Sequence, residues 1–317
     1  MNVSQRGEFG LIAHLHQGLP TRDGTLLGIG DDAAVLDALK HPIVTTDALV
    51  ENVHFRRDWT SAHDLGIKSM AVNLSDLAAM GAAPVAAFVS LALPPDCQSE
   101  WITSLYAGMD SLAARTNFTI AGGDMTAAPI VFISVTLVGD LMPQAQGHPV
   151  LRSGARVGDA VCVTGNLGDS AAGLALLLAG AQGDEMLLER HHRPQPRLDE
   201  MRHLLGRNRA AIHAGLDISD GLAGDAAHLA RASGVDIEIE ADTLPISAEC
   251  RAAARTLGKS PIDWALAGGE DYELCLCVAP EFAEGLTQVG RVVAGAGEVR
   301  VYEDGRLREG KVGWRHF

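Results

Sequence analysis

Aromatic residues are scarce: Phe, Trp and Tyr make up 4% of the 317 residues, whereas glycine alone occurs 35 times. A core of small aliphatic side chains and many tight turns is expected. Cysteine is also sparse. The five thiols, Cys97, Cys162, Cys250, Cys275 and Cys277, are scattered along the chain, which argues against a disulfide framework and suits reduced thiols in a cytoplasm. Cys275 and Cys277 fall on an expected strand, are expected on opposite faces, and are read as a poor zinc clamp. Positive charge is in deficit, with 25 Lys plus Arg against 40 Asp plus Glu, a net of −15. Surfaces that bind nucleic acid or dock on anionic membranes need the reverse balance. No long hydrophobic run occurs. The longest apolar stretch, 171–181, is well short of the ~20 residues that span a bilayer, and the first ten residues hold no apolar signal core. With 47% hydrophobic and 21% charged residues, the chain reads as a soluble cytoplasmic protein of about two domains.

Periodicity and turn signals place short strands at 26–29, 33–36, 43–46, 85–93, 118–121 and 130–138. Helices are expected at 8–19, at 61–80 with Gly81 as its stop, and from a Ser99 cap to about 115. The polar, Pro/Gln/Gly-containing stretch 142–149 reads as a boundary, giving domains 1–141 and 150–317. The second half shows strands at 160–164, 235–239 and 272–278, helices from Ser170 and at 198–206, 222–232 and 247–257, and a loop at 215–221. A hairpin is expected at 299–307 with Asp304-Gly305 at its turn. Strands and helices mix without strict βαβ alternation, so the fold class is α+β.

The common phosphate motifs fail on inspection. Gly258-Lys259-Ser260 resembles the end of a P-loop, but Ala253 stands where the motif needs glycine, and the tripeptide follows a helix. Gly28-Ile-Gly30-Asp31-Asp32-Ala33 would bring a pyrophosphate against two carboxylates. The turn from Gly165 through Gly168 to Ser170 could offer N–H groups to an anion, and an ordinary tight turn explains it as well. No Ser-His-Asp elbow, HExxH or EF-hand spacing appears.

The carboxylates are more informative. Asp31-Asp32 lies in a glycine turn, and Thr45-Thr46-Asp47 ends a strand. Asp124 follows Gly122-Gly123, Asp217 and Asp220 flank another turn, and Glu270-Asp271 follows Gly268-Gly269. Asn73 and Asp76 share one face of a helix otherwise rich in Ala, Leu and Val, where a charge needs a partner. Surface or capping acids account for any one of these motifs taken alone. Several acids at Gly-flanked strand ends, away from any Lys or Arg run, point instead to a shared cation. Oxygen-only ligands suit Mg²⁺, which in such sites binds substrate phosphates.

These segments, GIGDDAAVL (28–36), TTDALVENVHF (45–55), NLSDLAAMGA (73–82), AGGD (121–124), RSGA (152–155), DISDGL (217–222), GGEDYEL (268–274) and GWRHF (313–317), resemble the thiamine-monophosphate kinase family. The resemblance covers essentially the whole chain. It implies two mixed α/β domains of the aminoimidazole ribonucleotide synthetase-like type, a homodimer paired through N-terminal sheets, and a site between the domains. It further implies Mg²⁺-dependent transfer from ATP to thiamine monophosphate. Residue by residue, it implies metal ligation by Asp32, Thr45, Thr46, Asp47, Asp76, Asp124, Asp217 and Asp220, with Asp31 flanking them. ATP contacts fall on Tyr106, Gly123, Asp124, Arg152 and Ser219, and substrate contacts on His54 and Glu270. One departure is visible: the family's C-terminal aromatic contact falls on Lys311, and Trp314 is the nearest aromatic. No general base is expected. Two alternatives remain: another ATP-dependent reaction on the same fold (ribonucleotide cyclisation or selenophosphate synthesis), and a non-enzymatic acidic metal-binding protein.

Overall fold

The computed structural model describes residues 3–6, 8–30, 33–181 and 183–308. The chain forms two compact units, one of residues 1–77 and 82–141, the other of 78–81 and 142–317. Asp31, Asp32, Lys311, Trp314 and the rest of 313–317 lie outside the described residues. Among the described residues, no helix is long and apolar enough to cross a membrane.

The first unit opens with helices α1 (Val3–Arg6) and α2 (Glu8–Gly18) and an antiparallel ribbon of β1 (Thr25–Leu27) and β2 (Val35–Leu36). There follow β3 (Pro42–Val50), α3 (Ala62–Met80), β4 (Ala82–Leu93), α4 (Ser99–Thr116), β5 (Thr119–Ala127) and β6 (Phe132–Leu141). The sheet order is β3-β6-β4-β5, parallel only where α4 carries the chain from β4 to β5. Alternation gives the two central strands a buried row: Val89 and Leu91 of β4 and Ile133, Val135 and Leu137 of β6 are almost inaccessible. Leu77 of α3 packs against Gly139 in that row, so the helices cover this face. The opposite face carries Thr46, Thr136 and Ser90, with Val44 62% exposed. Helices α3 and α4 meet at glycines. A Cβ on Gly66 would lie 2.0 Å from the Leu105 carbonyl oxygen, and one on Gly108 would lie 2.0 Å from that of His63.

The second unit contains β7 (Ala160–Val163), α5 (Asp169–Leu178), α6 (Glu185–His192), α7 (Leu198–Asn208), β8 (Ile212–Asp217) and α8 (Leu222–Ser233). It continues with β9 (Asp236–Glu240), α9 (Ala248–Leu257), α10 (Pro261–Ala267), β10 (Leu274–Val278), β11 (Thr287–Val293), β12 (Val299–Glu303) and β13 (Arg306–Leu307). Seven strands run in the order β13-β12-β9-β11-β7-β10-β8, and only β12 and β9 are parallel. Val161, Leu216, Ile237 and Ile239 pack with Leu222, Ala226 and Leu229 of α8 in one core. A smaller core joins Ala172, Leu176, Leu187, Cys250 and Ala253 across α5, α6 and α9.

Several expectations need correction. Residues i and i+2 of a strand share a face, so Cys275 and Cys277 point the same way, into the core beside Val161. All five cysteines are buried and free, so they are structural thiols. Residues 212–217 form β8 rather than opening a loop. Ser99 does not cap α4: Gln98 occupies that position without a side-chain hydrogen bond, and Ser99 Oγ is buried without a partner. Strand β5 runs on through Gly122-Gly123-Asp124 to Ala127, so Asp124 lies within a strand. The rejected P-loop fragment is a junction between helices. Gly258 ends α9 in the left-handed conformation, and Ser260 Oγ accepts the Asp263 N–H at the start of α10.

Candidate active site

Strand β3 and helix α3 assemble the acidic group of the first unit. Thr45 and Asp47 lie on the helix-covered face of β3, in register with Leu137 and Val135. A polar residue there needs a partner, and α3 supplies one. The Thr45 hydroxyl donates to Asp76 Oδ2 at 2.5 Å, so the acid in the apolar helix is hydrogen-bonded rather than stranded. Asp47 remains exposed, yet loss of part of its hydration, and then repulsion from Asp76, push its carboxyl up to about 6. Two carboxyl groups and a hydroxyl thus converge, and the field of a bound cation would favour the ionised form of Asp47.

Other expected ligands are placed differently. Thr46 turns to the opposite face, where its hydroxyl donates to the Val135 carbonyl at 3.2 Å and accepts from Thr136 at 3.1 Å. Asp124 pairs with Ser90 across the β4–β5 ladder, on the same open face as Thr46. Strand β5 is three ladder steps from β3, about 14 Å at the usual strand spacing, so one chain does not bring Asp124 to Asp47. Gly123 is fixed by backbone geometry: its φ is +156°, and a Cβ would lie 2.0 Å from the Val89 carbonyl oxygen. Tyr106 is 6% exposed on the buried face of α4, and burial pushes its phenol well up. It serves the core there.

A tight turn after β3 presents His54. The Val50 N–H donates to His54 Nδ1 at 3.0 Å, so the ring proton sits on Nε2. Asn52 takes a left-handed φ of +67°, and its N–H donates to the Phe55 carbonyl at 2.8 Å. Glu51 anchors the turn. It is buried and accepts from Arg57 Nε at 2.6 Å and from the Val131 N–H at 2.9 Å. Sequence reading passed over Glu51, because a buried acid that serves a turn looks like any other acid in a polar stretch.

In the second unit, two loops are laced together at the ends of β8 and β10. The Glu270 N–H donates to the Ser219 carbonyl at 2.7 Å, that of Tyr272 to Ile218 at 2.8 Å, and that of Ile218 to Glu273 at 2.7 Å. Asp217, at the end of β8, is buried, and Asp220 is half-buried. Asp225 of α8 is a further acid that the motifs did not reveal. Its Oδ2 accepts from the Ser219 N–H at 3.0 Å and from that of Asp220 at 2.9 Å. Burial raises its carboxyl to about 7. Arg152 is exposed, and its charge is felt at both Asp225 and His228. Arg152, Ser219, Asp220 and Asp225 therefore share one neighbourhood.

Glu270 carries a φ of +58°, and its Oε2 lies 3.2 Å from His191 Nδ1 on α6. Asp271 closes the turn read as a possible anion cradle. The Gly168 N–H donates to its two carboxylate oxygens at 2.9 and 3.1 Å. The start of α5 thus already has an acid of its own chain on it.

Among the described residues, no three His, Cys, Asp or Glu side chains lie close enough to hold a metal ion. The Thr45–Asp47–Asp76 group still fits a hard divalent cation. Its donors are all oxygen, and a dication relieves the repulsion between its two carboxylates.

The AIR synthase related protein N-terminal domain matches residues 30–141, and the C-terminal domain of the same family matches 156–310. Thiamine-monophosphate kinase of Mycobacterium tuberculosis is 40% identical over 99% of this chain and 93% of its own length. A solved structure of AaThiL complexed with AMPPCP and TMP superposes with a TM-score of 0.78 at 38% identity, covering 100% of this chain and 99% of that one. The hydrogenase maturation protein HypE of E. coli has the same TM-score, 0.78, at 20% identity, covering 98% of each chain, and so shares the fold. The paired acidic turns, the two α+β units and these likenesses agree: the chain belongs to the AIR synthase related family and, within it, to the thiamine-monophosphate kinases.

Proposed function

We propose that this chain transfers the γ-phosphoryl group of ATP directly and in line to thiamine monophosphate, giving thiamine diphosphate and ADP with Mg²⁺. The observation that carries this reading is the Thr45–Asp47–Asp76 group in a chain similar over its full length to enzymes of that name. The acceptor is a phosphate monoester with a second pKa of ~6. It is mostly a dianion at neutral pH, so the nucleophile needs no general base. The obstacle is repulsion between two polyanions, which positioning and charge neutralisation overcome.

Thr45, Asp47 and Asp76 would hold Mg²⁺, with Asp32, Thr46, Asp124, Asp217 and Asp220 as the further ligands the resemblance assigns. Bound there, the ion would supply neutralisation of the β- and γ-phosphate charge. The protein's own groups orient the reactants. Arg152 offers a planar fork to an ATP phosphate, and Ser219 lies beside it. Gly123 is a further ATP contact that the resemblance assigns. His54 is a donor through Nε2–H toward the substrate, Glu270 pairs with the cationic thiazolium, and Trp314, the aromatic nearest in sequence to the family's contact position, is the candidate for stacking.

A homodimer completes the metal site in this reading. The open sheet face, with Val44, Thr46 and Thr136, needs a cover. A second copy related by a two-fold axis along the strands sets β3 of one chain opposite β5 of the other, because rotation reverses strand order. Stacked sheets lie about 10 Å apart, which brings the partner's Asp124 toward Thr46 on the open face of β3, the edge strand that carries Asp47 on its other face. Five free, buried cysteines suit a reducing cytoplasm.

Purified protein with ATP, Mg²⁺ and thiamine monophosphate should give one ADP and one thiamine diphosphate per turnover. ADP release with the ribonucleotide of the cyclisation reaction or with selenide, and none with thiamine monophosphate, would replace this reading. Calorimetry without any Mg²⁺-dependent binding of an ATP analogue would leave an acidic metal-binding protein.

A further inference from the structure

Glu270 is held by an imidazole that the resemblance does not assign. His191 is 5% exposed, and its Nδ1 lies 3.2 Å from Glu270 Oε2 and 3.2 Å from Ser170 Oγ. A hydrolytic triad uses the two ring nitrogens separately, one for the hydroxyl and one for the acid. Here a single nitrogen meets both groups, so the set does not activate Ser170 as a nucleophile. The ring instead spans α5, α6 and the 268–273 loop. Its position is fixed by packing: Gly173 of α5 has no room for a Cβ, which would lie 2.3 Å from the Leu187 carbonyl oxygen and 3.3 Å from the His191 Cβ. Glu270 has its backbone pinned to Ser219 and occupies a left-handed φ that is unfavourable for a non-glycine residue. Strain of this kind persists where the surroundings over-determine it, and it clusters at ligand sites. The Glu270 side chain is 25% exposed, so a ligand can still reach its carboxylate.

We propose that His191 is a positioning residue for Glu270, donating from Nδ1–H to fix the carboxylate that meets the cationic ring of the substrate. This rests on the reading of Glu270 as a substrate contact. A free Glu270 side chain would sample several rotamers, and ordering it on binding would weaken affinity. The backbone hydrogen bonds from Glu270 to Ser219 and from Tyr272 to Ile218 do not involve His191, so the Ser219 side of the site is left intact when the imidazole is changed.

The test uses His191→Asn, whose side-chain amide places a donor near the position of Nδ1, and His191→Gln, whose longer side chain does not. Loss of a hydrogen bond to a charged group is worth roughly tenfold or more. His191→Gln should therefore raise the KM for thiamine monophosphate about tenfold while leaving the KM for ATP unchanged, and His191→Asn should stay near wild type. In a Glu270→Gln background, His191→Gln should add nothing further. Equal behaviour of the two His191 variants, an effect that persists in the Glu270→Gln background, or parallel loss for both substrates with a lower melting temperature would overturn the proposal. If Glu270→Gln leaves the KM for thiamine monophosphate unchanged, the substrate assignment of Glu270 falls, and this proposal with it. If Glu270→Gln raises that KM and His191→Gln does not, only the role of His191 falls.

Discussion

Thr45 and Asp76 show how one hydrogen bond orients a half-buried carboxylate on an otherwise apolar helix. The hydroxyl holds Asp76 in place at 2.5 Å, and Asp76 in turn helps to keep the proton on Asp47. Thr45→Val keeps the shape and removes the donor. Removing such an orienting partner typically costs 10- to 100-fold in metal affinity, so the Mg²⁺ concentration for half-maximal activity should rise by about that factor. A second residue-scale prediction concerns Asp225, raised to about 7 by burial. Its unfolded-state pKa is about 3.9. Between these values the folded state binds more protons than the unfolded state, so its contribution to stability falls as pH rises through that window. Asp225→Asn retains an oxygen for the Ser219 and Asp220 N–H groups and removes the penalty. In metal-free protein it should leave stability unchanged near pH 4 and raise it by on the order of 2–4 kcal/mol at pH 8. Chemical denaturation at the two pH values measures this. Asp76 was legible as a charge in an apolar helix needing a partner. Asp225, Glu51 and His191 were not, because their roles depend on contacts with loops distant in sequence.

At the scale of elements, the contact of α3 with α4 depends on two missing side chains. Gly66→Ala or Gly108→Ala would push a methyl into a carbonyl oxygen, and overpacking of this kind costs about 1–3 kcal/mol. Since α3 carries Asp76, the same variants should lower the melting temperature and weaken Mg²⁺ binding together. Long periodic elements were legible: α3 with Gly81 behind it, β4, α4, α8, and the hairpin whose Asp304 and Gly305 both take positive φ. Elements rich in small residues were not. Strand β8 reads IHAGLD and carries Gly215, and β11 is interrupted by Gly290, so neither has the apolar alternation that marks a strand. In the sequence, Gly122-Gly123 reads as a turn, which puts Asp124 at a strand end. In the sheet, Gly123 instead removes a side chain that the neighbouring strand has no room for.

At the scale of the whole molecule, the acids of the first unit are spread across its sheet. Asp47 and Asp76 lie at one edge of the four-stranded sheet and Asp124 at the other. If a second copy completes the site, inactive Asp47→Asn and inactive Asp124→Asn should complement each other. Half of the randomly mixed dimers would be heterodimers, each with one intact site, so unfolding and refolding an equal mixture should restore about a quarter of wild-type activity. Val44→Arg, placed on the open face, should give monomers in sedimentation and abolish that recovery. The central claim is that these aspartates hold the divalent ions that let two polyanions meet. The most direct measurement follows γ-labelled ATP into thiamine diphosphate with wild-type protein and with Asp76→Asn over a range of Mg²⁺ concentrations. Labelled thiamine diphosphate from the wild type, and a loss of at least about a hundredfold in the variant at limiting Mg²⁺, is the predicted result. Wild-type-like transfer by Asp76→Asn at limiting Mg²⁺, or label released only as inorganic phosphate, would contradict it.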